Sequence, residues 1–114
     1  MSRLLHYKIM PTGKYGPEKD FKNQEHGIPK ILKKYGCKVV IDKSNGKDII
    51  PFHVCKKELR HFVWCMKKRS PRSVVLKCQV ESLGTWTVQE VVDFFSAAIK
   101  NSRKEDKVIN FVWS

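Results

Sequence analysis

The pattern of apolar and polar positions is clearest between Gly27 and Asp42, where it predicts a helix followed by a strand. The apolar residues that recur at the spacing of one helix face are Ile28, Ile31, Leu32 and Tyr35. The lysines between them, on the other side, are Lys30, Lys33 and Lys34. Gly36 ends this helix without steric cost because glycine accepts a left-handed conformation. The β-branched segment Cys37–Ile41 predicts a buried strand, so we expect a helix that runs directly into a sheet.

The N-terminal part predicts a strand, a loop and a longer helix. Leu4–Met10 alternates in polarity, and the apolar residues of its predicted strand face are Leu5, Tyr7 and Ile9. Pro11–Pro17 contains two glycines and two prolines, which predicts a loop. Glu18–Tyr35 is expected to be helical in two pieces, because Pro29 and the glycine before it interrupt the pattern. Phe21 is the expected apolar anchor of the first piece.

The next part of the chain predicts a turn and an extended segment. Asn45 and Gly46 form a strong turn signal, because both residues tolerate positive φ. Ile49–Val54 is expected to be extended. Pro51 restricts this segment to an edge strand or to the start of a strand, since proline donates no ladder hydrogen bond.

Glu58–Lys68 fits two different periods. At helical spacing its apolar residues are Leu59, Phe62, Val63 and Met66, yet the segment also alternates as a strand does. Ser73–Glu81 is a clearer strand, with a face made of Val74, Leu76, Cys78 and Val80. Two apolar segments around a short polar turn favour a β-hairpin. We therefore favour a strand for Glu58–Lys68 and keep a helix as the alternative.

The most strongly signalled element begins at Thr87. Thr87 and Glu90 have the spacing of a capping box, and Trp86 and Val91 are placed to form a hydrophobic staple. The predicted helix continues through Lys100. Its apolar face is made of Val88, Val91, Val92, Phe95, Ala98 and Ile99.

The C-terminal residues complete a single α/β domain over residues 1–114. Asn101–Lys107 is a polar connection, and Val108–Trp113 predicts a final strand docked at an edge of the sheet. The predicted order is strand, helix, strand, β-hairpin, helix, strand. A helix between the first two strands favours parallel pairing of these strands through a right-handed crossover.

The charge balance is the feature that points to a partner. The 114 residues include 23 Lys and Arg against 11 Asp and Glu, a net charge of +12. Such an excess repels itself unless an anionic partner compensates it. Nucleic acid is the first candidate, an anionic membrane the second and an acidic protein the third. No segment approaches the roughly 18 apolar residues of a membrane span, and the N-terminus lacks the apolar core of a secretory signal.

The stretch from Gly16 to Ile41, with Phe21, the helix Ile28–Tyr35 and the strand Val39–Ile41, resembles a known motif. It is similar to that of a thioredoxin-like family shared by small mitochondrial ribosomal proteins and one accessory subunit of respiratory complex I. The resemblance covers roughly residues 4 to 112. It implies a thioredoxin-like, mixed four- to five-stranded sheet with helices packed on it.

The resemblance also implies a function. The chain would be a structural component of the mitochondrial ribosome in the matrix, which binds ribosomal RNA and neighbouring mitochondrial ribosomal proteins. The alternative is an accessory subunit of respiratory complex I or of another protein assembly. The choice between the large and the small ribosomal subunit stays open, because the family serves both.

Catalytic and metal chemistry find little support in the sequence. A redox thioredoxin needs Cys-x-x-Cys between its first strand and first helix, and the loop Met10–Glu18 has no cysteine. A zinc site is conceivable from His53, Cys55, His61 and Cys65, but their spacing matches no common zinc finger. A disulfide of Cys37 with Cys55 or Cys65 is a further alternative to four reduced cysteines. We expect no enzyme, no cofactor, no metal and no small-molecule substrate.

Basic residues form the predicted RNA-binding site, because Arg and Lys side chains neutralise phosphates without reading sequence. The predicted contacts are Lys14, Lys19, Lys22, Lys56, Lys57, Arg60, Lys67, Lys68, Arg69 and Arg72. Lys30, Lys33 and Lys34 are either part of this site or an ordinary solvated helix face. Stacking on unpaired bases is conceivable for Tyr15, His61 and Trp64. For Trp64 we favour burial in the core instead.

Overall fold

A computed structural model describes residues 4–22, 24–42, 50–80 and 84–113. In these residues the fold is mixed α/β, with three helices and a largely antiparallel sheet. The helices are α1 (Gly27–Lys34), α2 (Lys56–Lys67) and α3 (Val88–Lys100). The strands are β1 (Leu4–Ile9), β2 (Lys14–Tyr15), β3 (Lys19–Asp20), β4 (Val39–Ile41), β5 (Ile50–Cys55), β6 (Val74–Lys77), β7 (Thr85–Thr87) and β8 (Val108–Trp113).

The main sheet is built around the last strand of the chain. Its order is β2-β1-β8-β5-β4, and β3 also pairs with β1. Each pair between described strands is antiparallel. Phe111 in β8 lies opposite Tyr7 in β1 and opposite Phe52 in β5. The C-terminal strand therefore holds the two halves of the sheet together.

Three expectations about the strands are wrong. The first two predicted strands, which correspond to β1 and β4, are not paired in parallel, because β8 and β5 lie between them. β8 is central and not an edge strand, which agrees with burial of Phe111 and Val112 on its two opposite faces. β4 is a terminal strand of the sheet and is not buried, since Ile41 is 64% exposed.

Two further expectations concern turns and proline. Pro51 is the second residue of β5, which confirms a strand start, although β5 is paired on both sides and is not an edge. Gly36 has a φ of 91°, so the predicted left-handed stop after α1 is confirmed. The predicted Asn45-Gly46 turn lies outside the described residues.

The prediction that Glu18–Tyr35 is helical in two pieces is half wrong. Lys19–Asp20 is a short strand on β1, and the helix begins only at Gly27. Pro29 therefore falls in the first helical turn, where its missing N–H removes no helical hydrogen bond. Phe21 is an anchor as expected, because it is fully buried and packs 5.6 Å from the ring of Phe94.

The strand favoured for Glu58–Lys68 is wrong, and the helical alternative is correct. The residues at helical spacing are the buried ones, namely Leu59, Phe62, Val63 and Met66. The predicted hairpin is also wrong in its partner, since β6 pairs with β7 and Leu76 lies opposite Trp86. The local periodicity of Glu58–Lys68 permits both a strand and a helix. Because β6 pairs with the later strand β7, Glu58–Lys68 is not needed as its partner and packs as a helix.

The helix predicted after Thr87 is confirmed in detail. Thr87 Oγ1 accepts from the Glu90 amide at 3.3 Å, and Glu90 Oε1 accepts from the Thr87 amide at 3.3 Å. Trp86 and Val91 are both buried, as the predicted staple requires. This cap fixes where α3 starts and hence which of its faces meets α2.

An aromatic cluster joins α2 and α3 to the sheet. The rings of Phe62 and Phe95 meet edge to face at 5.6 Å between centroids, and Phe95 meets Phe111 at 5.5 Å. Phe111 stacks on Phe52 at 5.1 Å. The two helices are therefore held side by side on the sheet, and their outer faces form the surface described next.

Candidate nucleic-acid interface

Helix α2 presents a basic outer face because its apolar residues Leu59, Phe62, Val63 and Met66 pack on the inner one and only Trp64 among its large apolar residues lies outside. Residues three or four apart lie on the same side of a helix. Arg60, Trp64 and Lys67 follow this spacing and are exposed. Lys57, His61 and Lys68 extend the same exposed side.

A groove runs between α2 and α3, with a volume of about 310 Å³. Val63 and Ile99 form its apolar floor, and Trp64 stands at its side. Its cationic rim consists of Arg60, Lys67 and Lys100. Among the described residues, none that lines this groove is acidic.

Trp64 is exposed, so the expectation that it is buried is wrong. Its exposed fraction is 56%, whereas Trp86 and Trp113 are 5% and 1% exposed. Lys68 Nζ lies 3.4 Å from the centroid of the Trp64 ring, and the His61 ring lies 5.8 Å away. The helical phase of α2 explains the exposure, because Trp64 falls one residue outside the apolar face.

A second concavity, of about 520 Å³, lies between α1 and β6. Lys30 and Lys34 of α1 line it together with Arg69 and Lys77. Arg69 Nη1 donates to Tyr35 Oη at 3.3 Å. None of the lining residues in the part of the chain that the structure describes is acidic. Arg69 and the lysines of α1, far apart in sequence, therefore meet in one cleft.

The C-terminal end of α2 connects the groove to the cleft. Lys67 lines the groove, Lys68 covers Trp64, and Arg69 lines the cleft. We call the combined surface the basic tract. It consists of the cations that the three helices and the C-terminal end of α2 contribute, namely Lys30, Lys34, Arg60, Lys67, Lys68, Arg69 and Lys100. Lys77 of β6 borders it.

Several predicted RNA contacts lie outside the basic tract. Lys56 is only 6% exposed and its Nζ donates to the Arg103 carbonyl at 2.8 Å, so its ammonium is already used. Lys19 Nζ pairs with Glu90 Oε2 at 2.9 Å. Four more of the predicted RNA contacts are exposed but line neither the groove nor the cleft. They are Lys14, Lys22, Lys57 and Arg72.

The sequence prediction missed Lys100 and left Lys30 and Lys34 open. Lys100 borders the groove because α2 is a helix that packs beside α3. The sequence pattern that could have identified Lys100 is its position one helical turn after Ser96, which places both residues on the side of α3 that borders the groove.

The cysteines show no redox arrangement in the described residues. All four are free. Burial raises the pKa of the Cys37 thiol to about 12, with a further contribution from the negative charge of Glu58. Cys65 Sγ lies 3.4 Å from His61 Nε2. Within the described residues, no three His, Cys, Asp or Glu side chains are grouped closely enough to hold a metal ion.

Comparison of the chain with protein-family models, with curated proteins and with solved structures finds no match. In the described ranges, no helix has the length and apolar character needed to cross a membrane.

Proposed function

We propose that this chain is a structural, RNA-binding component of a ribonucleoprotein particle. The observation that carries the proposal is the basic tract, in which cations from α1, α2 and α3 converge around two concavities without an acidic lining residue. A surface that gathers one sign of charge in clefts raises the local potential and attracts a polyanion.

RNA phosphates are the partner whose chemistry fits this surface. Each phosphate that Lys or Arg neutralises releases condensed counterions, which supplies affinity without sequence readout. Arg60 and Arg69 add guanidinium groups that can bind phosphate oxygens in a bidentate manner. The acidic side chains Glu90 and Asp106 are paired with Lys19 and Arg103, away from the tract.

The narrower proposal is a protein of the mitochondrial ribosome, in the matrix, beside other ribosomal proteins. It rests on the resemblance of residues 16–41 to the thioredoxin-like family. The thioredoxin-like fold belongs to this proposal and is supported by the order of helices and strands around α1. The antiparallel sheet, in which β1 and β4 are not paired with each other, departs from the parallel pair that we expected of that fold.

A scaffold role without catalysis is part of the same proposal. The loop that would carry a redox pair has no cysteine. The thiol of Cys37 is buried, and the direction of its pKa shift keeps it protonated at neutral pH. A thiol–disulfide exchange assay that showed turnover would contradict this part.

Protein assembly without RNA is the second candidate, and the strand β4 is the observation that favours it. β4 ends the sheet in the described residues and exposes Ile41 to solvent. Edge strands of this kind can pair with another chain. An accessory subunit of respiratory complex I would use such a surface.

Co-sedimentation separates the two candidates. We expect the chain to sediment with ribosomal subunits and to be released by ribonuclease. Neutralising the end of α2, by Lys67→Gln, Lys68→Gln and Arg69→Gln together, should release it as well. The matched control carries three changes outside the tract and outside the predicted RNA contacts, Lys8→Gln, Lys38→Gln and Lys104→Gln, and should still sediment. Sedimentation with respiratory complexes that ribonuclease does not alter would overturn the proposal.

A further inference from the structure

We propose that the groove between α2 and α3 binds one unpaired nucleotide of single-stranded RNA, with its base stacked on Trp64. This inference rests on the proposed function and deepens it, because it names the form of RNA that the basic tract selects. It is carried by the exposure of Trp64, the cationic rim of the groove and an unpartnered hydroxyl on its α3 side.

The Trp64 ring is presented as a stacking surface on a rigid element. Large aromatic side chains are usually buried, yet more than half of this one is exposed, at 56%. It projects from the C-terminal half of α2, where the neighbouring residues Val63 and Phe62 are buried in the core. A helix holds a side chain in a more defined position than a loop does.

The ammonium of Lys68 covers the face of the Trp64 ring when no base is bound. Its Nζ lies 3.4 Å from the ring centroid, which is a cation–π contact at an exposed site. Stacking of a nucleobase on an aromatic ring is the stronger of the two contacts. A base that enters therefore displaces the ammonium, which then lies close to the phosphates of the same nucleotide.

The floor and the α3 side of the groove suit a base edge. Val63 and Ile99 supply apolar contact. Ser96 also lines the groove, and within the described part of the chain its buried Oγ has no hydrogen-bond partner. Because this oxygen is itself covered, the Ser96 side chain has to rotate its hydroxyl into the groove to donate to or accept from a base edge, which would give it the partner it lacks.

The rim suits the phosphates on either side of that base. Arg60 precedes Trp64 by four residues and Lys67 follows it by three, so they flank the ring along one face of α2. Lys100 faces them from α3. The volume of about 310 Å³ lies at the lower end of small-ligand sites, which fits one nucleotide.

A duplex cannot use this groove in the same way. Its bases are paired and stacked on each other, and proteins recognise it mainly through its shape and backbone. Only an unpaired base can leave its own stack and lie on Trp64. The groove thus favours loops, bulges and single strands over helical RNA.

The test uses the fluorescence of the intact chain, because Trp64 is far more exposed than Trp86 and Trp113. We expect a single-stranded octanucleotide RNA to quench the emission of Trp64, and the same sequence in a duplex to bind without this quenching. Inorganic polyphosphate should also bind without quenching, since it has charge but no base. Equal quenching by duplex or by polyphosphate would overturn the proposal.

Two substitutions separate stacking from charge. Trp64→Ala should weaken single-strand binding about tenfold and leave duplex binding within about twofold, whereas Trp64→Phe should retain most of the affinity. Circular dichroism checks that both variants fold. Unchanged single-strand affinity in Trp64→Ala, with RNA binding intact, would overturn this inference and leave the proposed function standing. Loss of RNA binding by the unaltered chain would overturn both.

Poly-glutamate tests the alternative that the groove receives an acidic protein. It matches the charge of the RNA but has no aromatic base. We expect it to leave the emission of Trp64 unchanged. A shift of the Trp64 emission to shorter wavelength with poly-glutamate, without quenching by RNA, would overturn the inference in favour of a protein ligand.

Discussion

The ammonium of Lys68, the residue that caps α2 one helical turn after Trp64, lies 3.4 Å from the centre of the Trp64 ring. This contact sets a cation against the most exposed tryptophan of the chain. It also marks the point where the groove beside α3 meets the cleft beside α1. Charge and aromatic surface therefore coincide at the end of α2.

Removing this cation should uncover the ring at little cost in stability. An exposed cation–π pair contributes about 0.5–1 kcal/mol, so Lys68→Ala should lower the free energy of unfolding by about 1 kcal/mol or less. Acrylamide should quench Trp64 more efficiently in this variant. Lys57→Ala, on the same helix but away from the ring, serves as the control. Unchanged quenching in Lys68→Ala would show that the ammonium does not cover the ring in solution.

The capping box at the start of α3 should contribute measurably to stability. Thr87→Ala removes the acceptor for the Glu90 amide and should cost about 1 kcal/mol of unfolding free energy, measured by urea denaturation. Thr85→Ala, two residues earlier at an exposed position, should change stability by less than about 0.5 kcal/mol. Equal effects of the two substitutions would contradict the role of the cap.

The thiol of Cys37 should be inert in the folded protein. Its pKa is raised to about 12, because burial disfavours the thiolate and Glu58 adds a repulsive charge. We expect maleimide at pH 8 to leave Cys37 unmodified in the native state and to label it after unfolding. Mass spectrometry of labelled peptides measures this. Rapid native labelling of Cys37 would contradict its burial.

The same pKa shift predicts a direction of pH dependence. The ordinary pKa of the thiol is 9.0 and the folded value is about 12, so both states are protonated below pH 9. Between these values only the unfolded state loses the proton, and the stability of the fold falls as pH rises. Cys37→Ala should show a smaller fall over this range. An equal fall in both proteins would contradict the shift.

The elements that were predicted correctly carry their signals within a few neighbouring residues. Thr87 and Glu90 define the start of α3 by themselves, and Gly36 ends α1 by its own conformational freedom. In such segments the local hydrogen bonds and backbone preferences agree with the tertiary structure. The sequence was therefore sufficient for them.

The errors arose where contacts between distant segments decide the structure. The apolar pattern of Glu58–Lys68 fits both a helix and a strand, and only the pairing of β6 with β7 decides between the two. The position of β8 in the middle of the sheet depends on pairing with β1, about a hundred residues earlier. The residue type of Trp64 alone favours burial in the core, whereas the phase of α2 places its side chain outside.

The candidate site shows the same division. The sequence identified the cations at the end of α2, because Lys67, Lys68 and Arg69 are consecutive. Their meeting with Lys30, Lys34 and Lys100 depends on how three helices pack, which no local pattern encodes. Lys56 appeared equivalent to its neighbours, yet its ammonium is buried against the Arg103 carbonyl.

The salt dependence of RNA binding tests the central claim most directly. Single-stranded RNA binding by the purified chain, followed by fluorescence anisotropy, should weaken with salt with a log–log slope of about −5 if the whole basic tract is engaged. The triple substitution Lys67→Gln, Lys68→Gln and Arg69→Gln should reduce the magnitude of the slope by about 2, and the control with Lys8→Gln, Lys38→Gln and Lys104→Gln should leave it unchanged. Affinity that does not respond to salt, or equal slopes in the two triple variants, would contradict the claim that the basic tract binds RNA.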